Sequence, residues 1–289
     1  MNSVLQYAIQ GLATGSFYAI AALGLAIIFG VLGVVNFAHG ACYMLGAVVA
    51  AVLLDLIGLN FWAALIVVPI LLFIFGVIIE RGLVQWLLRL DPLYNFLLTF
   101  GLSLFLVDLI KRQYGVSGLP YTRPEILTGQ ITFGELRLPT YHVFVLVFSV
   151  LVCLAVWLLM TKTRMGMIVR AATERSELTR ALGIDVGRWV TPVFGFGIAL
   201  AGLAGVLAAP MRAITADMGS SFIIILFAVV VIGGLGSILG AVVAGFLVGL
   251  VEAFGQAYAP TFSQVLIFVL MALVILFKPT GLFGREESK

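Results

Sequence analysis

The stretch MNSVLQYAIQGLATGSFYAIAALGLAIIFGVLGVVNFAHGACYMLGAVVAAVLL, residues 1–54, holds no Asp, Glu, Lys or Arg. A helix needs about 20 predominantly apolar residues to cross the ~30 Å hydrocarbon core of a bilayer. The stretch is therefore long enough for two crossings, near 5–29 and 37–56. The rest of the chain keeps the same character. Of 289 residues, 63% are hydrophobic and 10% charged, against about 25% charged in a soluble domain, and the mean hydropathy is +1.21. A chain of 31.0 kDa has too little interior for that much apolar side chain. Lipid must take the remainder, which excludes a soluble enzyme and defines an integral membrane protein.

Further apolar runs near 61–79, 93–110, 141–160, 190–209, 221–236, 240–258 and 262–277 bring the expected spans to nine. They are continuous rather than alternating and about twice the length of a barrel strand, which excludes a β-barrel. The expected fold is an all-α polytopic membrane bundle of eight to nine transmembrane helices, a single domain over 1–289. Broken or re-entrant helices are expected in 1–54 and in Ile223–Val251, where Gly233, Gly234, Gly236 and Gly240 interrupt the apolar pattern. Small residues recur every fourth position at Gly11, Gly15 and Ala19, at Gly197, Ala201, Gly205 and Ala209, and at Ser237, Ala241, Gly245 and Gly249. Such stripes let helix backbones approach closely where hydrophobicity cannot drive association. Cys42 and Cys153 lie in apolar stretches and are expected as buried free thiols.

Loops 80–92, 161–189 and 278–289 carry two, six and three of the 16 Lys and Arg, eleven in all. The positive-inside rule makes that face cytoplasmic. The C-terminus is then inside and, with nine spans, the N-terminus outside. Lys111, Arg112, Arg123, Arg137 and Arg212 are left for the opposite face. The +3 net charge reflects this loop bias, so no nucleic-acid partner is expected; the lipid bilayer is the first partner.

Three polar constellations stand out. Loop 161–189 contains TKTRMGMIVRAATERSELTRALGIDVGR from Thr161 to Arg188, with Ile168, Ala171, Ala172, Leu178, Ala181 and Leu182 at helical spacing among charged residues and Gly183 placed to end the helix. An interfacial helix on anionic lipid is one reading. A protein partner fits better, because three acids dilute six bases and the apolar face is mostly alanine. The second constellation is Asn36-Phe37-Ala38-His39-Gly40, either a solvated turn or a helix break lining a path. The third is the carboxylates. Glu252 falls midway along its span, whereas Asp55, Glu80, Asp108 and Asp217 fall near span ends within reach of water. An intramembrane ionisable group is a functional candidate by default.

Several chemistries lack their residues. There is no G-x-x-x-x-G-K-[ST], so the chain has no P-loop for ATP phosphates. With His39 and His142 the only histidines, no metal site and no bound cofactor are expected. A Ser237–His39 membrane enzyme has two residues and no activating geometry. A stand-alone facilitator or secondary transporter would use Glu252 as its intramembrane charge.

NFAHG at 36–40, RAATERSELTRALGI at 170–184, GGLGSILG at 233–240 and KPTGLFG at 278–284 together resemble the permease subunits of bacterial branched-chain amino acid ABC importers, over essentially the whole chain. The length resembles the shorter of the two permeases in such systems. The resemblance implies a bacterial inner-membrane transport subunit that pairs with a second related permease, two cytoplasmic ATPase subunits that bind the ATP, and a periplasmic solute-binding protein. It makes the 161–189 loop a coupling helix, with Arg170, Ala171, Glu174, Ala181, Leu182 and Gly183 as the docking positions. The expected path residues are Asn36, His39, Gly233, Gly234, Gly236 and Glu252. Related systems carry urea, short amides or aromatic acids, so the resemblance leaves the solute open.

Overall fold

The structure is a computed structural model describing residues 2–87, 90–115, 118–133, 136–181 and 186–284. It is a helical bundle: α1 (Asn2–Leu32), α2 (His39–Ile57), α3 (Phe61–Ile79), the three-residue α4 (Gln85–Leu87), α5 (Pro92–Tyr114), α6 (Thr140–Lys162), α7 (Arg164–Ala181), α8 (Val186–Ala208), α9 (Met218–Gly233), α10 (Ile238–Tyr258) and α11 (Ser263–Phe277). A π-helical turn, Glu80–Val84, joins α3 to α4. Among the described residues eight helical segments are long and apolar enough to cross a membrane, and α9 is a shorter apolar ninth. The expected count and order of spans are both met. Among the described residues the strands form one hairpin, β1 (Gln130–Phe133) paired antiparallel with β2 (Leu136–Pro139), in the connection between α5 and α6.

Burial separates a centre from a rim. The apolar window of α8 is 89% buried and that of α11 is 11% buried. On α3, Ile66, Ile70, Ile74 and Ile78 form an exposed stripe at fourth positions, while Gly76 faces Gly195 and Ile198 of α8. Large apolar residues point outward and small ones inward, the arrangement a lipid solvent favours. Each glycine stripe meets another helix backbone. Gly11 and Gly15 of α1 lie against Gly249, Gly245 and Phe246 of α10; Gly197 lies against Gly24; Gly205 abuts the Tyr43 carbonyl of α2. Cys42 and Cys153 are buried free thiols.

Two of the boundaries that differ from the sequence expectation are set by glycines. The 221–236 span is α9 at Met218–Gly233, because Gly234 at φ +101° and Gly236 at φ +77° turn the chain. At 16 residues it spans about 24 Å, less than the hydrocarbon thickness. The other is that of α1, which runs to Leu32, where Gly33 at φ +67° ends it.

The loops gather at two ends. Leu119 pairs with Ile214, and Arg123 Nε donates to the Pro210 carbonyl at 3.1 Å, tying the 115–139 connection to the 209–217 loop. Lys111 joins the same loop through Asp217 at 2.7 Å. At the opposite end α7 packs on α1, α6 and α8. There the C-terminal segment closes on the α9–α10 turn, with Leu282 and Phe283 amides donating to Ile232 and Gly233 carbonyls.

A methyl at Gly205 would strike the Tyr43 backbone, whereas Gly101 is exposed with nothing near it. Gly205→Leu is therefore expected to lower the thermal midpoint of the purified protein, at about 1–3 kcal/mol for overpacking. Gly101→Leu should stay within about 0.5 kcal/mol.

Candidate functional site

The close approach of α1 and α10 at their glycine stripes sets Tyr18 opposite Glu252. The Tyr18 hydroxyl donates to Glu252 Oε2 at 2.5 Å. Glu252 Oε1 accepts from Gln256 Nε2, one helical turn on, at 3.2 Å, and faces Arg212 Nη2 of the 209–217 loop at 3.5 Å. The Arg212 guanidinium carbon also sits 6.0 Å from the centre of the Tyr18 ring. Phe222 of α9 backs the group, stacked on Tyr43 at 3.7 Å and 5.5 Å from Tyr18.

A cavity of about 320 Å³ borders this cluster, lined by Gln10, Thr14, Arg123, His142, Met211, Arg212, Glu252, Ala253 and Gln256. A shallower recess formed by 118–121 and 209–213 shares Met211 and Arg212 with it. The cavity thus carries one carboxylate and two guanidiniums. Burial by itself would lower the Arg212 pKa, but Tyr18, Tyr43 and Glu252 beside it raise it, so the guanidinium keeps its charge. Burial pushes the Tyr121 phenol in the neighbouring recess up to about 12, so it stays neutral.

The Asn36–Gly40 segment is not a solvated turn: Asn36 and His39 are both buried. His39 Nε2 donates to the Ala21 carbonyl at 3.0 Å, and Ala21 lies about 16 Å back along α1 from Leu32 at 1.5 Å per residue. Residues 33–38 therefore return into the bundle before α2 begins. The Phe37 amide donates to Thr99 Oγ1 of α5 at 3.2 Å, and Asn36 Oδ1 accepts from the Ala38 amide at 3.0 Å. Asn36 Nδ2 and His39 Nδ1 have no hydrogen-bond partner among the described residues.

The predicted path residues fall into separate places. Asn36 and His39 form the re-entrant turn. Gly233 and Gly234 pack on Gly240 and on Gly284 in the turn at the α7 end, with Gly236 in the same turn. Glu252 lies about 21 Å along α10 from Ile238, toward the other end. Ser237 Oγ accepts from the Gly240 amide and shares no hydrogen bond with His39, so the two do not form a catalytic pair.

The amphipathic helix expected in 161–189 is α7. Arg170 and Ala171 are exposed on it, and Arg170 Nη2 reaches the Thr161 carbonyl at 3.4 Å. Glu174 and Ala181 lie on the same helix, whereas Leu182 and Gly183 fall outside the described residues.

Sequence reasoning missed a second buried carboxylate. Glu80, expected near water, is 1% exposed and accepts from the Thr191 hydroxyl of α8 at 2.6 Å. The π turn it opens is a feature frequent at functional positions. Tyr18 and Arg212 were missed too. Tyr18 follows the Gly11–Gly15 stripe by one turn, and Arg212 is a lone basic residue after an apolar run; neither signal distinguishes a site without its neighbours.

A multi-span bundle with a mixed-charge cavity at one end and, at the other, a helix that exposes Arg164 and Arg170 has the parts of a membrane transport subunit. The family of branched-chain amino acid transport system permease components matches residues 7–275, and the chain belongs to it. The chain is 33% identical over 303 positions to the high-affinity branched-chain amino acid transport system permease protein BraD of Pseudomonas aeruginosa, covering 98% of this chain and 96% of that protein. It is 30% identical to the corresponding permease protein LivH of Escherichia coli K12, with the same coverage. With the permease protein LivM of that organism it is 27% identical, over 94% of this chain and 69% of LivM. The family match favours a transport permease over a stand-alone carrier or an enzyme.

Tyr18→Phe removes the donor to a buried carboxylate oxygen, so it is expected to destabilise the purified protein by about 1–3 kcal/mol. The double variant Tyr18→Phe/Glu252→Leu should recover part of that loss in a thermal melt, because removing both partners leaves no buried carboxylate unsatisfied.

Proposed function

We propose that this chain is the membrane-spanning permease subunit of an ATP-driven importer that brings branched-chain amino acids, or a chemically close small polar solute, into a bacterial cytoplasm. The observation that carries this reading is the family match along residues 7–275, reinforced by relatives whose names specify branched-chain amino acid transport. Resemblance to both LivH and LivM supports pairing with a second, related permease. The absent P-loop is supplied by two cytoplasmic ATPase subunits, and a periplasmic binding protein delivers the solute. The Lys and Arg distribution supports a cytoplasmic C-terminus and α7 on the cytoplasmic face, which puts the Glu252 cavity toward the periplasm.

In this arrangement α7 docks on an ATPase and passes its displacement to α8, which it contacts directly. The α8 faces against α2 and α3 are glycine-lined, so small shifts there reach the 209–217 loop and Arg212. ATP drives the change by binding one conformation more tightly than the other.

Charge reversal of Arg170 and Glu174 together with Leu182→Asp tests the docking role in the complete complex reconstituted in liposomes. Solute moved per ATP hydrolysed should fall at least tenfold, taking a lost interface anchor as about 1.4 kcal/mol or more. Uptake at the unaltered ratio would remove α7 from the coupling path.

A further inference from the structure

The geometry points to the Glu252 cavity as a station for the head group of an α-amino acid zwitterion, with Arg212 and Arg123 taking the carboxylate and Glu252 the ammonium. The inference rests on the importer reading above and names the substrate chemistry of this site. Its first support is the looseness of the Arg212 contact. Glu252 is held firmly by Tyr18 at 2.5 Å, but Arg212 approaches it only at 3.5 Å, with 38% of its side chain exposed against 10% for Glu252. Arg212 is the partner free to turn toward an arriving anion, and its departure leaves Glu252 Oε1 facing the cavity.

The second support is placement. Arg123 is pinned to the Pro210 carbonyl of the loop that carries Arg212, so both guanidiniums belong to one wall. Glu252 stands with Gln256 on α10, and Gln10 and Thr14 of α1 with His142 of α6 make up the remaining polar lining. A ligand with opposite charges on one carbon matches this order of groups, whereas a simple cation would meet two arginines. The volume of about 320 Å³ is at the small end of ligand cavities. Among the described lining residues only Met211 and Ala253 are apolar. The site therefore reads the common head of amino acids and is indifferent to the side chain, leaving discrimination among amino acids to a different component.

Binding of L-leucine, 4-methylpentanoate and 3-methylbutan-1-amine to the assembled complex without its binding protein tests this. Saturation-transfer NMR is run on the unaltered complex and on Glu252→Gln and Arg212→Gln, with ATP-driven uptake measured on the same preparation after the binding protein is added back. Saturable leucine binding is expected, with both analogues and both variants at least about tenfold weaker, the cost of one lost charge-assisted hydrogen bond. Alanine and phenylalanine should bind like leucine. Equal binding of 4-methylpentanoate and leucine would make this a plain anion site and overturn the assignment. So would leucine binding unchanged in Arg212→Gln, the rim variant that disturbs packing least. Absent binding alongside intact uptake overturns the head-group site and leaves the importer reading standing. A lack of ATP-driven uptake by the unaltered complex overturns the importer reading instead, and the binding isotherms then judge the site separately.

Discussion

Backbone-to-backbone contact is what the rest of this molecule depends on. In a bilayer, lipid tails are as apolar as leucine, so helices associate through dispersion, hydrogen bonds and close approach rather than hydrophobic burial. Gly11 and Gly15 against Gly245 and Gly249 join α1 to α10, while Gly46, Gly76, Gly197 and Gly205 hold α2, α3 and α1 against α8. These contacts decide which polar groups meet. Without the α1–α10 approach, Tyr18 and Glu252 would be two isolated polar groups in an apolar span, each at a cost of several kcal/mol. Paired, they hold Glu252 at the edge of a charged cavity.

Glu80 and Glu252, both buried, lie toward opposite ends of the bundle. Glu80 joins the π turn after α3 to the first turns of α8 through Thr191, close in sequence to α7. Glu252 joins α10 to α1 and to the loop that follows α8. The helix between these two places, α8, is also the most buried apolar segment. Packed helix backbone thus runs from α7 along α8 to the 209–217 loop that carries Arg212. Asn36 and His39, on the re-entrant turn beside α1 and α5, add uncommitted buried polar atoms in the interior. Such atoms are costly to bury and uncommon in a structure without a role for them.

Much of this was legible in the residues. The uncharged first 54 positions and the later apolar runs foretold nine apolar helices, and fourth-position small residues foretold which faces touch. Glu252 stood out because a charge in mid-span has few explanations. What was not legible is tertiary. Glu80 looked like a span-end residue because the π turn and the Thr191 partner that bury it leave no mark in local spacing. Gly233, Gly234 and Gly236 read as interruptions of a helix, although they build a turn closed by the C-terminal segment. Arg212 read as a surface base, since its pairing depends on a helix forty residues away in sequence. The hairpin at 130–139 lies in a polar connection where hydropathy carries little information.

The proposed function requires the charged cavity and α7 to lie on opposite sides of the membrane, cavity outward and α7 inward. Single cysteines at Glu125, in the connection beside the cavity, and at Lys162, beside the start of α7, report this directly, because both positions are exposed while Cys42 and Cys153 are buried. With a membrane-impermeant maleimide on intact spheroplasts, Glu125→Cys is predicted to label at once and Lys162→Cys only after lysis. Labelling of both from one side, or the reverse order, would contradict the account.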